Sequence, residues 1–175
     1  PAGKMDFLED VELRIRSVIG TEETLVPLHV PEFHGRERDL LLDCIDTGWV
    51  SSLGSHVDDF EVEVARLSGC AHGVVVANGT AALQISLISA GVQASDEVLV
   101  PALTFVATAN AVVHSNAIPH FVDSCETTLG IDPVALRCYL ERNADLKGGG
   151  CVNRNTGRII RAVVPMHTFG HPVEM

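Results

Sequence analysis

The sequence predicts an α/β domain with a mostly parallel sheet, preceded by a set of helices. Three observations lead there. From Gly73 onward, apolar runs of strand length (73–77, 97–100, 118–122, 159–164) alternate with segments of helical pattern (80–90, 105–114, 132–142), the rhythm of βαβ units. The runs are nearly continuous in Val, Ile and Leu, as strands covered on both faces require. Before Gly73 the apolar spacing is helical, so helices precede the first strand.

The first helix follows from Leu8, Val11, Ile15, Val18 and Ile19 on one face, with acidic residues toward its start and Gly20 as its stop. Residues 21–31 read as a connector. A second helix over about 36–46 is predicted to end at Thr47-Gly48. The third has the clearest spacing, with Val57, Phe60, Val64 and Leu67, Ser55 as N-cap, Asp58 and Asp59 in the first turn, and Gly69 closing it. Residues 1–72 are therefore expected to form a helical segment on the sheet, and residues 73–175 an incomplete α/β domain. Within that domain, the glycine-rich stretch from Lys147 to Arg158 interrupts the rhythm as a surface excursion, with a short hairpin as one form it can take. It is no phosphate loop of the Walker type, because Lys147 precedes the glycines and no helix start follows.

Composition limits the function. A net charge of -11 without a Lys/Arg cluster argues against nucleic acid as a partner. No apolar run has the length of a membrane span, and the first residues lack signal-peptide order, so a cytoplasmic address and no membrane partner are expected. The five cysteines (Cys44, Cys70, Cys125, Cys138, Cys151) include no CxxC pair and read as reduced thiols, mostly buried small apolar residues.

In open α/β sheets, ligands gather outside the carboxyl ends of the strands. That edge is predicted to carry Asn78-Gly79-Thr80, Pro101 to Phe105, Asp123, and Pro165 to Gly170. The first of these turns is read as an apolar strand running into a helix, whose unpaired N–H groups at Gly79, Thr80 and Ala81 suit a phosphate. An ordinary strand-to-helix turn explains the same residues. Phe105 is a core aromatic on the usual reading, yet after the next strand on the same edge it also offers a flat ring for a ligand to stack on.

At this point the sequence resembles the DegT/StrS family of pyridoxal-phosphate-dependent nucleotide-sugar aminotransferases, of the legionaminic acid and bacillosamine pathway type. The resemblance is carried by Asp46-Thr47-Gly48-Trp49-Val50-Ser51-Ser52, Asn78-Gly79-Thr80-Ala81-Ala82-Leu83, the stretch from Pro101 to Asn110, His120-Phe121-Val122-Asp123, and the stretch from Val164 to Pro172. It covers about residues 27 to 175, in order. It implies the large domain of a fold-type I transferase, a homodimer with active sites at the subunit interface, and pyridoxal 5'-phosphate as cofactor. By position, Gly79, Thr80 and Ala81 would hold the phosphate and Phe105 would stack on the pyridine ring. Trp49, Ser51 and Ser52 fall where the family brings a loop toward the substrate, although the two serines fit a plain turn equally well. His167 is expected near the pocket or, alternatively, as a core or sheet-edge histidine. Asp123 fits the end of a strand better than a cofactor contact. His167 and His171 stand four apart, but Gly170 and Pro172 oppose the helix a metal pair would need, so no metal is expected.

The family's chemistry also needs a lysine to carry the cofactor and shuttle a proton. This chain has only Lys4 and Lys147, neither in a matching motif, so no catalytic residue is assigned. The chain is expected to be the N-terminal part of a longer protein, with an unpaired strand edge and apolar faces that favour association. The implied parent activity is transfer of an amino group, with glutamate as donor, to a 4-keto-6-deoxy nucleotide sugar in surface-polysaccharide biosynthesis. The alternatives are a dehydratase relative, a non-catalytic nucleotide-sugar binding module, and an inactive truncated fragment.

Overall fold

The computed structural model describes residues 2–20, 24–27 and 29–175, with side chains from Phe7 onward. Lys4 and part of the connector over 21–31 thus lie outside the described side chains and residues. The chain divides into two compact units, Pro1–Phe60 and Glu61–Met175.

The first unit is helical. Helix α1 (Ala2–Ile19) ends at Gly20 with φ +67°, and it carries Arg14–Asp10 and Arg16–Glu12 pairs, each four residues apart. Helix α2 (Glu37–Thr47) closes on Gly48 in the left-handed conformation, one of the positions where the turn requires glycine. Helix α3 (Ser55–Ser68) starts one residue earlier than predicted. Ser55 is its first helical residue and not its cap; the N–H groups of Val57 and Asp58 donate to the Gly54 carbonyl, so backbone satisfies the helix start.

The second unit is a three-layer α/β/α arrangement. After α3 come α4 (Gly79–Ser89), β1 (Glu97–Pro101), α5 (Val106–His114), β2 (Ile118–Val122), α6 (Pro133–Asn143), β3 (Ala144–Lys147), β4 (Gly150–Asn153), β5 (Ile159–Val163) and a 3-10 turn over Thr168–Gly170. The sheet order is β2-β1-β5-β4-β3. β1 pairs parallel with both β2 and β5, whereas β3 and β4 add antiparallel. The glycine-rich excursion is therefore a hairpin that widens the sheet, turning at Gly148 and Gly149, both with positive φ. It was legible as a hairpin, but not as part of the sheet.

Alternation along β1 builds both cores. Val98 and Val100 pack with Leu87, Val92, Ala111, Val112 and Ala117 under α4 and α5. Leu99 faces the other way, with Val122, Ile131 and Ile160, under Leu136 and Leu140 of α6. All of β1 is buried, as the continuous apolar run predicts.

Two expectations fail here. Residues 73–77 are not a strand: the Val75 N–H donates to Glu61 Oε1, a side chain, and Val74 is 79% exposed. An apolar run becomes a strand only beside a ladder partner, and among the described residues none lies next to this one. Gly73 comes so close to the Glu61 carbonyl oxygen that a Cβ would collide with it. The cysteines are unpaired, as expected, but none is fully buried: Cys70 and Cys138 are exposed and the other three half-buried.

Candidate functional site

Chain connectivity fixes which edge carries the site. The loop after α4 enters β1 and the loop after α5 enters β2, and the two loops are joined by the Ser95 N–H on the Asn116 carbonyl. Both helices therefore end at the amino edge of the parallel strands and begin toward the carboxyl edge. That edge holds the N-terminus of α4, the loop of residues 102–105, Asp123, and the segment after β5.

At the start of α4, Asn78 is an extended N-cap whose Oδ1 accepts the Ala81 N–H at 2.9 Å, and the Ala82 N–H goes to the Asn78 carbonyl. Gly79 and Thr80 occupy the positions whose N–H groups have no intrahelical acceptor. A Cβ on Gly79 would meet nothing within 4 Å, so the approach to these groups is open. Of the three residues expected at a phosphate, Gly79 and Thr80 thus offer N–H donors, while that of Ala81 is taken by Asn78.

Phe105 is the N-cap of α5 and not its first residue, and its ring is 70% exposed, so it is not a core aromatic. It lines a cavity of about 330 Å³ together with Leu103, Thr104, Met166, Thr168 and Phe169. Thr104 Oγ1 lies 2.9 Å from Thr108 Oγ1 and 3.0 Å from Met166 Sδ, and the Phe105 N–H points at the same sulfur at 3.4 Å. Phe169, also exposed, has φ +52°, a left-handed conformation that a bulky residue seldom adopts. Sequence reasoning placed Phe105 here and missed Met166, Thr108 and Phe169 as partners. The signal for them was their place in the stretches 101–110 and 164–172, which follow adjacent strands and carry the family resemblance.

His167 is exposed, and its Nδ1 accepts the Val173 N–H at 3.1 Å. The neutral ring therefore carries its proton on Nε2. His171 instead faces the Pro172 carbonyl, and among the described residues no three His, Cys, Asp or Glu gather as a metal site would need. Asp123 immediately follows β2, with its side chain accepting the Ser124 N–H and its carbonyl the Asp132 N–H. Trp49, Ser51 and Ser52 belong to the first unit, in the turn between α2 and α3. Trp49 is 56% exposed, and Gly54, at φ +141°, passes where a Cβ would come 3.2 Å from the Trp49 Cβ. Lys147 sits on the β3–β4 hairpin, paired with Asp145 at 2.7 Å.

A second polar cluster lies at the other edge of the sheet. Glu97, 2% exposed, accepts from His120 and Asn153 at 2.8 Å and from Thr156 at 2.6 Å. Burial pushes its carboxyl up, but the bonds from Thr156, Asn153 and His120 outweigh it and hold the group below the usual carboxylate range. Tyr139 of α6 meets the His120 ring edge-on at 5.2 Å. This cluster ties the hairpin to the first parallel strand and takes no part in the cavity.

Comparison with known proteins gives this edge its context. The profile of the DegT/DnrJ/EryC1/StrS aminotransferase family matches residues 31–175. GDP-perosamine synthase of Caulobacter vibrioides is 32% identical over 150 residues, which are 86% of this chain and 36% of that protein. Among solved structures, an aminotransferase of the same family from Brucella abortus superposes with a TM-score of 0.66 at 27% identity, covering 79% of this chain and 35% of its own. The PLP form of Spr1654 from Streptococcus pneumoniae gives 0.58 at 27% identity, covering 65% and 28%. The chain thus spans about a third of the length of the relatives it matches, and its mostly parallel sheet is the sheet of their aminotransferase fold. The chain belongs to the DegT/DnrJ/EryC1/StrS aminotransferase family.

Proposed function

We propose that this chain contributes the phosphate and ring seat of a pyridoxal-phosphate-dependent aminotransferase acting on a 4-keto-6-deoxy nucleotide sugar, with glutamate as amino donor, in polysaccharide-sugar biosynthesis. The observation that carries this reading is the juxtaposition, on the carboxyl edge, of the open Gly79-Thr80 helix start with the exposed Phe105 ring beside a cavity. Its support is the similarity to GDP-perosamine synthase and to Spr1654 in its PLP form. Bound there, pyridoxal phosphate would supply a conjugated ring that takes up electron density while an amino group is exchanged.

The chain's own residues have binding roles. The N–H groups of Gly79 and Thr80, at the positive end of α4, hold the phosphate, with Ala81 closing the turn. Phe105 faces the ring, and the Nε2–H of His167 donates toward the substrate. Trp49, Ser51 and Ser52 bind the substrate, and the protein acts as a homodimer in the cytoplasm. Residues 1–72 form the helical segment and 73–175 the cofactor-binding part. Neither lysine serves as cofactor carrier: Lys147 is held by Asp145, and Lys4 stands outside any matching motif.

Titrating the chain with pyridoxal phosphate, followed by absorbance, tests this. Noncovalent, saturable binding is expected, with Phe105→Ala weakening it by about three- to tenfold, the share of one aromatic contact. Borohydride trapping of a stoichiometric adduct on Lys4 or Lys147, or binding of a nucleotide sugar with no response to pyridoxal phosphate, would overturn the reading.

A further inference from the structure

The exposed ring of Phe105 has little apolar packing to hold it, so its direction is set by the backbone it stands on. That backbone is fixed at two points: the Phe105 carbonyl accepts the Thr108 N–H at 3.0 Å, and the Phe105 N–H points at Met166 Sδ at 3.4 Å. We infer that Met166 is a positioning residue for Phe105, whose sulfur fixes the start of α5 and with it the ring at the cavity mouth. This rests on the cofactor-facing role proposed for Phe105.

The chemistry of the contact supports a directed role. A thioether accepts hydrogen bonds and donates none. With Met166 Sδ as the terminus, the two hydroxyls must be ordered: Thr108, buried, donates to Thr104, and Thr104 donates to the sulfur. The sulfur is therefore the shared acceptor of one hydroxyl and one amide from consecutive residues, Thr104 and Phe105. Its own anchor is firm. Thr168, 2% exposed, donates from Oγ1 to the Leu129 carbonyl, and the Val173 N–H closes on His167. A Cβ on Gly130 would come within 3.4 Å of the Met166 carbonyl oxygen, so the loop of residues 125–130 packs against the same segment. Met166 thus transmits the position of the segment after β5 to the loop after β1.

Two substitutions separate the sulfur's role as acceptor from its bulk. Met166→Leu conserves volume and removes the acceptor; Met166→Gln restores an acceptor at similar reach. The measurements are hydrogen exchange of the Phe105 amide by NMR and pyridoxal phosphate affinity, on the full chain and again in a Phe105→Ala background. In Met166→Leu the Phe105 amide is expected to exchange about three- to tenfold faster and the affinity to fall by a similar factor, the effect of one lost hydrogen bond. Met166→Gln should recover both, and in the Phe105→Ala background Met166→Leu should cost no further affinity. Exchange in Met166→Leu equal to wild type, failure of Met166→Gln to recover it, or an affinity loss that persists without the Phe105 ring would each overturn the inference. If wild type does not bind pyridoxal phosphate at all, the proposed function fails, while the exchange measurement still decides the role of Met166.

Discussion

Replacing Glu97 tests whether the polar cluster at the amino edge holds the hairpin to the sheet. Its carboxylate is 2% exposed and accepts from three donors, Thr156, Asn153 and His120. Glu97→Gln keeps the shape but removes the charge: the amide oxygen can still accept from His120 and Asn153 and the NH2 can donate to the Thr156 hydroxyl, so three bonds to a buried carboxylate become neutral ones. Hydrogen bonds to a charged group contribute roughly 1.5–3 kcal/mol each and are not additive, so a loss of about 3 kcal/mol is expected. For a chain of 175 residues that lowers the melting temperature by roughly 6–12 °C at pH 7. The pH dependence has a definite sign. Because the folded carboxyl lies below its unfolded value of about 4.3, its contribution is complete above that value and is lost as pH falls through the folded one. Wild type should therefore lose more stability on acidification toward pH 3 than Glu97→Gln, and the gap between them should narrow. Thermal melts of both proteins at several pH values would show it. A melting temperature for Glu97→Gln within about 2 °C of wild type at pH 7, with parallel acid profiles, would refute the argument.

Asp132→Ala removes the N-cap of α6, whose Oδ1 accepts from the N–H groups of Val134 and Ala135 at 2.8 and 2.9 Å; chemical denaturation should show a loss of about 1 kcal/mol. Gly130→Ala places a Cβ 2.8 Å from Val173 Cγ2, and because a valine side chain is stiff, a loss of about 1–3 kcal/mol is expected in the same assay. The N–H groups of Thr128 and Thr127 hold the Cys125 thiol below its ordinary value, so iodoacetamide should label Cys125 faster than Cys70 or Cys138 at pH 7, with mass spectrometry identifying the site.

Where local physics decides the structure, the sequence was readable. Gly48 and Gly69 stop their helices where glycine is the residue that turns freely, and the 3.6-residue spacing of α3 survived intact. β1 was readable because a short apolar run alternating with helical segments fits a strand covered on both faces, and all five of its residues are buried. What escaped was non-local. Residues 73–77 have strand composition but no ladder beside them among the described residues, and composition says nothing about neighbours. The sheet-widening role of the hairpin depends on pairing between Cys151 and Ile160, and Glu97, a charged residue inside an apolar run, gained its meaning only from Asn153 and Thr156, more than fifty positions later. At the site, the helix start and the ring were read from turn chemistry and the family resemblance. Met166 went unread because a methionine after a strand carries no sign of which amide it will face.

The two ends of the parallel strands divide the labour between them. Charged, multiply bonded groups clasp the amino end, so the scaffold does not depend on the residues facing the cavity. The carboxyl end is closed by a soft thioether, two hydroxyls and exposed rings, contacts that can be exchanged at small energetic cost. A lineage could rework what this mouth admits, one loop residue at a time, while the sheet beneath it stays folded.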